Sequence, residues 1–334
     1  MQRDRVSDLL KGYACFLVVF GHVIMGIRNA GINIPGGVGI WLEQFIWTFH
    51  VKIFMFVSGY VYHITGEWKS KGTRSRFIGH KLMNLGIPYV LFSIVYILIN
   101  SCISSTNANF SALDILSIWN KPVAQYWFLY SLLLLFIIWT GLSKWLKNYQ
   151  ITILMGVLAL IINVTKITLY DGILEMLSCV LSFGIGTCMT QRTMDWVYEK
   201  AKTPYGFFAV ITHIALTSIY LAVGVKTFIL TQAIAVLGII ASIVLIVNIK
   251  SIKHVEKLLL LITKYSFAIY LLHTIFTAAV RIVLLKIGMD MYWVQVLFGC
   301  AVGFAGPVCV VIVCENFGIY DYLFVPAKVL TKRK

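Results

Sequence analysis

The chain has 334 residues, of which 60% are apolar and only 12% charged, and its mean hydropathy is +0.87. Soluble domains carry roughly 25% charged and about 45–50% apolar residues, so this composition excludes a water-soluble enzyme and a disordered chain alike. The formal net charge of +15 does not point to nucleic acid. Its Lys and Arg residues stand in short clusters between apolar runs, as they do at a cytoplasmic membrane surface.

Ten apolar runs follow one another, at about residues 12–28, 40–65, 84–105, 123–142, 150–168, 170–190, 206–224, 228–249, 266–285 and 292–314. Each is continuous. About 20 such residues cross a bilayer as a helix, whereas barrel strands alternate apolar and polar positions. The expected fold is all-α: a polytopic helical membrane protein with about ten transmembrane helices. No linker or internal repeat divides it, so residues 1–334 read as a single integral membrane domain. Arg3, Arg5 and Lys11 ahead of the first run resemble the start of a signal peptide. No small-residue cleavage site follows, and the run reads as a retained helix. With the N-terminus inside, 21 of the 28 Lys and Arg fall on the cytoplasmic side, five on the outer side, and Lys52 and Arg281 inside runs. That asymmetry places both termini in the cytoplasm.

The seven Cys contain no CxxC pair and no His/Cys cluster at zinc-ligand spacing, so they read as reduced, buried small residues, and no metal is expected.

An ionisable side chain inside a span costs at least about 2.5–3.5 kcal/mol and needs a reason. The first run carries Asp8, Lys11, Cys15 and His22. At about 100° per residue, Lys11 and His22 fall within about 20° of each other and about 16 Å apart along the helix. This makes a polar stripe that starts at the membrane boundary and ends on an imidazole. A snorkelling Lys plus a hydrogen-bonded core His would give the same spacing. The second run reads Phe49-His50-Val51-Lys52-Ile53-Phe54-Met55-Phe56-Val57-Ser58-Gly59-Tyr60. Lys52 needs a carboxylate, backbone or water partner there, and Ser58-Gly59 suits close helix packing. The ninth run contributes His273 and Arg281; Glu175, His213 and Glu315 fit a buried pair or a site equally well. The loop Lys69-Ser70-Lys71-Gly72-Thr73-Arg74-Ser75-Arg76 with Lys81 reads either as a topological anchor or as a phosphate-binding patch. Tyr126-Trp127-Phe128 sits where an aromatic belt is expected, and equally where a sugar could stack.

Four segments taken together resemble the integral membrane acyltransferase-3 family. Asp8-Leu9-Leu10-Lys11-Gly12-Tyr13-Ala14-Cys15 through Gly21-His22 is similar to that family's first helix, a basic residue followed eleven positions on by His. Phe49 to Tyr60 resembles its second helix, Tyr126-Trp127-Phe128-Leu129 its Trp-Phe-Leu element, and Lys264 to His273 its late Tyr-Ser…His segment. The four stand in family order, and the subgroup related to fucose 4-O-acetylases is the nearest in character. Two positions depart: Lys52 replaces a common Pro, and Asn84 stands where a second basic residue is usual.

The resemblance implies O-acyl transfer, most often of acetyl, from cytoplasmic acyl-CoA (acetyl-CoA) to a hydroxyl of a cell-surface carbohydrate or lipid-linked glycan, in the bacterial cytoplasmic membrane. His22 is the implied general base, since only His has a reference pKa near neutrality. Lys52 and Ser58 are candidate oxyanion donors. Lys11, Arg74, Arg76 and Lys81 are candidates for the CoA phosphates, and His50, Tyr126, Trp127 and His273 for the acceptor. Cys15, nearer the cytoplasm than His22, is a less favoured nucleophile. The expected partners are the acyl donor, the acceptor and the bilayer, with no nucleic acid. The alternative is a multi-span transporter or exporter of a polar or glycosylated small molecule, which predicts broken helices in two related halves. A sensor or scaffold would make the same polar residues structural.

Overall fold

The computed structural model describes residues 4–66, 68–69, 71–102 and 110–332. Arg3, Arg333 and Lys334, which enter the charge pattern, and Ser70 of the basic loop lie outside the described residues. Among the described residues the chain is helical, with no strand. The α-helices are α1 (Arg5–Asn29), α2 (Val38–Trp47), α3 (His50–Thr65), α4 (Lys71–Lys81), α5 (Ile87–Cys102), α6 (Trp127–Leu142), α7 (Asn148–Thr165), α8 (Asp171–Cys188), α9 (Gln191–Ala201), α10 (Pro204–Val223), α11 (Phe228–Ile249), α12 (Lys253–Lys286), α13 (Tyr292–Asn316), α14 (Tyr320–Phe324) and α15 (Pro326–Lys332).

Among the described residues, ten helical stretches are long and apolar enough to cross a membrane, so this is a multi-pass membrane protein. An even number of crossings brings both termini to one end of the bundle, called here the N-terminal end. Each of the seven Cys is a free thiol.

Three spans differ from the runs read in the sequence. The second is two helices. Phe49 leaves the helical region (φ −142°, ψ −20°) and separates α2 from α3. No Pro or Gly marks the break. The Thr48 hydroxyl donates to the carbonyl of Phe45 (2.7 Å), and the His50 ring caps the carbonyl of Ile46. Backbone groups freed in a membrane must find such partners inside the protein. The third span continues from α4 through a π-helical turn, Leu82–Gly86, into α5. Asn84, in that turn, accepts from the amide of Ala327 (2.9 Å) and ties the C-terminal segment to the span. The ninth span, expected over 266–285, begins thirteen residues earlier, and α12 has 34 residues. A helix of that size is about 51 Å long, against an apolar layer of about 30 Å. Its first turns therefore stand beyond the layer, where Glu256 pairs with Arg5 (2.8 Å).

The seam between α3 and α8 rests on two glycines. A Cβ at Gly59 would overlap the carbonyl of Phe183, and one at Gly186 would overlap the carbonyl of Phe56. Neither backbone can retreat without opening the seam, so both positions are small by necessity. This contact brings Lys52 of α3 against the middle of α8.

Candidate active site

His22 lies seventeen residues into α1. That is about 25 Å along the helix axis, which sets it well past the middle of the bundle. Two imidazoles from other helices converge near it. The ring of His273, from α12, lies 4.9 Å from that of His22. The ring of Trp47, the last residue of α2, lies 5.0 Å away on an edge, and His50 is 4.5 Å beyond Trp47. The break at Phe49 makes this possible, because it lets Trp47 and His50 face the same space from two differently directed helices.

The hydrogen bonds fix two of the three imidazoles. His273 is fully buried, and its Nδ1 lies 2.9 Å from the carbonyls of both Ile269 and Tyr270. Carbonyls only accept, so Nδ1 carries a proton. Likewise His50, 2% exposed, donates from Nδ1 to Ile46 (2.8 Å). Nδ1 of His22 is buried with no hydrogen-bond partner among the described residues, and so is Nε2 of His273. Trp47 is held in turn: its Nε1 donates to Glu43 (3.2 Å), and Glu43 is clamped by Arg28 through two bonds of 2.8 Å.

His22, Trp47 and His50 line a cavity of about 960 Å³. Lys52, Gln125, Trp127, Phe128, Glu175, Tyr270, Thr274 and Arg281 complete much of its wall. Asn29, Gly224 and Lys226 also line it, so it opens at the end of the bundle opposite the termini. Such a volume is in the range of small-molecule sites.

Lys52 finds a backbone partner rather than a carboxylate. Its Nζ donates to the carbonyl of Ser178 (2.6 Å) and to its hydroxyl (3.0 Å). Gln232 donates to the same carbonyl (3.0 Å). Glu175, one turn earlier on α8, shares the cavity with Lys52.

The remaining expected site residues fall in three places. Tyr126 is fully buried behind the cavity wall, its hydroxyl donating to the carbonyl of Leu271 (2.8 Å). Its neighbours Gln125 and Trp127 reach the cavity, with Gln125 donating to Thr274 (2.8 Å) and accepting at its own carbonyl from Tyr270. Ser58 lies two turns from His50 toward the N-terminal end, half-buried and away from the cavity lining. Lys11, Arg74, Arg76 and Lys81 all stand toward the N-terminal end. Lys11 is 3.9 Å from Asp8. Arg74 donates to the carbonyl of Trp68 (3.0 Å), Lys81 lies over the rings of Phe77 and Phe136, and Arg76 is exposed. Cys15 is fully buried, with its thiol 3.9 Å from the carbonyl of Ser266.

Two contributors were hidden in the sequence. Trp47 is one aromatic residue among many, and only the unmarked break aims it at His22. Gln125 precedes an aromatic triplet that masks it. His213, by contrast, is buried against Phe45 and Phe49 with Nδ1 near the Thr217 hydroxyl (3.2 Å), and it is not part of the cavity lining. No group of three or more His, Cys, Asp or Glu among the described residues is arranged to hold a metal ion.

Residues 5–312 match the profile of the acyltransferase-3 family, described as an acyltransferase domain. Among curated proteins, the chain is 27% identical over 155 residues to Nodulation protein NolL of Sinorhizobium fredii (strain NBRC 101917 / NGR234), covering 43% of this chain and 39% of that protein. It is 22% identical over 235 residues to Nodulation protein NolL of Mesorhizobium japonicum (strain LMG 29417 / CECT 9101 / MAFF 303099), covering 68% of this chain and 58% of that one. The aligned parts thus span less than two thirds of these relatives' own length. No solved structure matches the chain.

Proposed function

We propose that this chain, which belongs to the acyltransferase-3 family, is a membrane O-acyltransferase of the bacterial cytoplasmic membrane. It moves an acyl group, acetyl above all, from cytoplasmic acyl-CoA to a hydroxyl of a cell-surface carbohydrate or lipid-linked glycan. The observation that carries this reading is the cavity itself. It is a chamber of about 960 Å³ among apolar helices, walled by His22 and Trp127, which the family resemblance singles out, and by Lys52.

The chemistry follows from those groups. An imidazole nitrogen of His22 takes the proton of the acceptor hydroxyl as its oxygen attacks the thioester carbonyl. A C–O bond forms, and the carbonyl oxygen becomes an oxyanion. Lys52, anchored on Ser178 with a fixed ammonium, is the donor for that charge. Collapse breaks the C–S bond, and the departing thiolate of CoA recovers the proton from the imidazolium. No covalent acyl-enzyme is needed. Trp127 and Phe128 offer ring faces to the acceptor, while His273 and Trp47 hold the His22 ring between them. The donor enters from the basic N-terminal end, where Lys11, Arg74, Arg76 and Lys81 meet the CoA phosphates, and the acceptor enters from the opposite end. Ser58 takes no part in this scheme.

The test is acyl transfer measured by mass spectrometry of surface polysaccharides and lipids, in cells with the wild-type gene, without it, and with His22→Ala. Loss of a positioned general base removes about 10²–10⁴-fold in rate, so the acyl mass should vanish in the variant while the purified protein keeps its melting temperature. An acyl mass that persists in His22→Ala at wild-type level sinks the assignment.

A further inference from the structure

Among the described residues Arg281 is the one guanidinium in the cavity wall, and its surroundings are unusual for a membrane span. It sits on α12 two turns beyond His273, half-buried, inside one of the ten crossings. Among the described residues it has no ion pair with a carboxylate, and the charge interaction it makes is with Tyr96. Arg28, at the same end of the bundle, is clamped by Glu43 through two bonds of 2.8 Å. A charge inside a span is costly, and cations there normally pair or serve a pathway.

The space for Arg281 is built into α1. A Cβ at Gly26 would collide with its Nη1, so the guanidinium lies directly on the Gly26 backbone. Gly26 is four residues, one helical turn or about 6 Å, beyond His22 on the same face. Both residues line the cavity. A cation is therefore presented to the cavity one turn from His22, across about the width of one sugar ring. Lys226 stands at the mouth, and Tyr96 is close enough to Arg281 to feel its charge. Against Arg281, Lys226 and Lys52, Glu175 supplies the carboxylate in the lining, so the cavity is formally cationic.

We propose that Arg281 anchors an oxyanion subsite. The acceptor carries a carboxylate or a phosphate, and Arg281 holds that group so that a nearby hydroxyl falls at His22. The planar guanidinium suits either anion through paired N–H donors. This inference rests on the acyltransferase reading above and narrows its acceptor to an anionic glycan, such as one bearing a uronic acid or a sugar phosphate. A neutral sugar would leave Arg281 without a charged partner in the cavity.

The experiment uses the full chain in detergent and follows thermal stabilisation by three probes: glucose, glucuronic acid and glucose 1-phosphate. The charged probes should stabilise the wild type and glucose should not, since a ligand that binds only the folded state raises the melting temperature. Comparing the two charged probes tells whether a carboxylate or a phosphate is the better fit. Arg281→Gln should weaken the charged probes by about tenfold or more, the scale of a charge-assisted hydrogen bond. Arg281→Lys should retain part of the effect. Gly26→Ala displaces the guanidinium without removing its charge, so it should weaken the same probes even if Arg281→Gln folds poorly. Equal responses to glucose and the charged probes, or charged-probe binding unchanged in both Arg281→Gln and Gly26→Ala, would overturn the subsite and leave Arg281 a contact for lipid headgroups. Binding in the His22→Ala variant separates the two proposals. A charged probe that binds there while wild-type protein transfers no acyl group supports the subsite and defeats the transferase. Transfer that ignores Arg281 does the reverse.

Discussion

The two ends of the bundle treat their charges differently. At the N-terminal end four of the cations rest on the protein: Arg5 on Glu256, Arg74 on the Trp68 carbonyl, Lys328 on Asp321 (2.7 Å) and Lys81 over two aromatic rings. At the far end Arg28 is paired, but Arg281 faces an open cavity, and His22 has a buried nitrogen with no partner among the described residues. Partnered surface charges contribute little each, about 0–1 kcal/mol, and serve to fix topology. Buried polar groups left without partners cost about 1–3 kcal/mol apiece, and they are useful only when something enters. On the proposed mechanism, anchoring and donor contacts belong to one end and chemistry to the other.

Substitutions inside the cavity should therefore change transfer far more than those at the basic surface. Below His22, the next largest effect is expected at Lys52. Lys52→Met removes the proposed oxyanion donor and should lower transfer by about 10²–10³-fold, the range for a single such donor. Because Lys52 also bridges α3 to α8, the melting temperature must be read beside the rate. Lys52→Arg keeps the bridge and serves as the comparison. A Lys52→Met protein that melts normally and transfers normally removes Lys52 from the chemistry.

A smaller effect is expected at Trp127. Aromatic contacts are worth about 0.5–1.5 kcal/mol beyond area burial, or about two- to tenfold in affinity. Trp127→Leu should raise the Michaelis constant for the acceptor by that factor and leave acyl-CoA binding unchanged. Equal kinetics for both substrates would return Trp127 to the interfacial belt.

Crossing to the other end, neutralising Arg74 and Arg76 together should raise the Michaelis constant for acyl-CoA about two- to fivefold, with the difference fading as salt rises. The acceptor constant should hold. A change confined to protein yield or orientation would make the cluster an anchor alone.

Much of this architecture is legible in the residues. Ten crossings follow from hydropathy, because burying backbone polarity in lipid leaves a long apolar helix as the simplest solution. His22 stands out because an imidazole in an apolar run is conspicuous. The break between α2 and α3 is not legible: Thr48 and Phe49 carry no helix-breaking signal, and their bend depends on the Ile46 carbonyl finding His50. Nor is the extension of α12, whose charged first turns look like a loop until Glu256 meets Arg5. The cavity depends on contacts such as His22 with His273, 251 positions apart, and Gly26 with Arg281. Helical periodicity places each residue on a face but says nothing about which face it meets.

The smallest effect is expected at Cys15, and it decides the form of the reaction. Cys15 shares the first helix with His22, so an acyl-thioester on its sulfur is a rival to direct transfer. The structure sets the thiol in a dry seam: Cys15 has no exposed surface, its Sγ lies toward the Ser266 carbonyl of α12, and it does not line the cavity. A thioester carbonyl reaching that sulfur would have to part α1 from α12. Cys15→Ala removes one heavy atom from this seam and should cost about 1 kcal/mol of stability at most, within the usual range for a core substitution. Transfer should stay near the wild-type rate, because the thiol does not line the cavity. The protein quenched during turnover should carry no acyl mass on its Cys15 peptide. An acylated Cys15 peptide, together with a Cys15→Ala variant as inactive as His22→Ala, would replace direct attack by a two-step exchange. His22 would then serve the thiol first and the acceptor second, and the chemistry would move toward the N-terminal end.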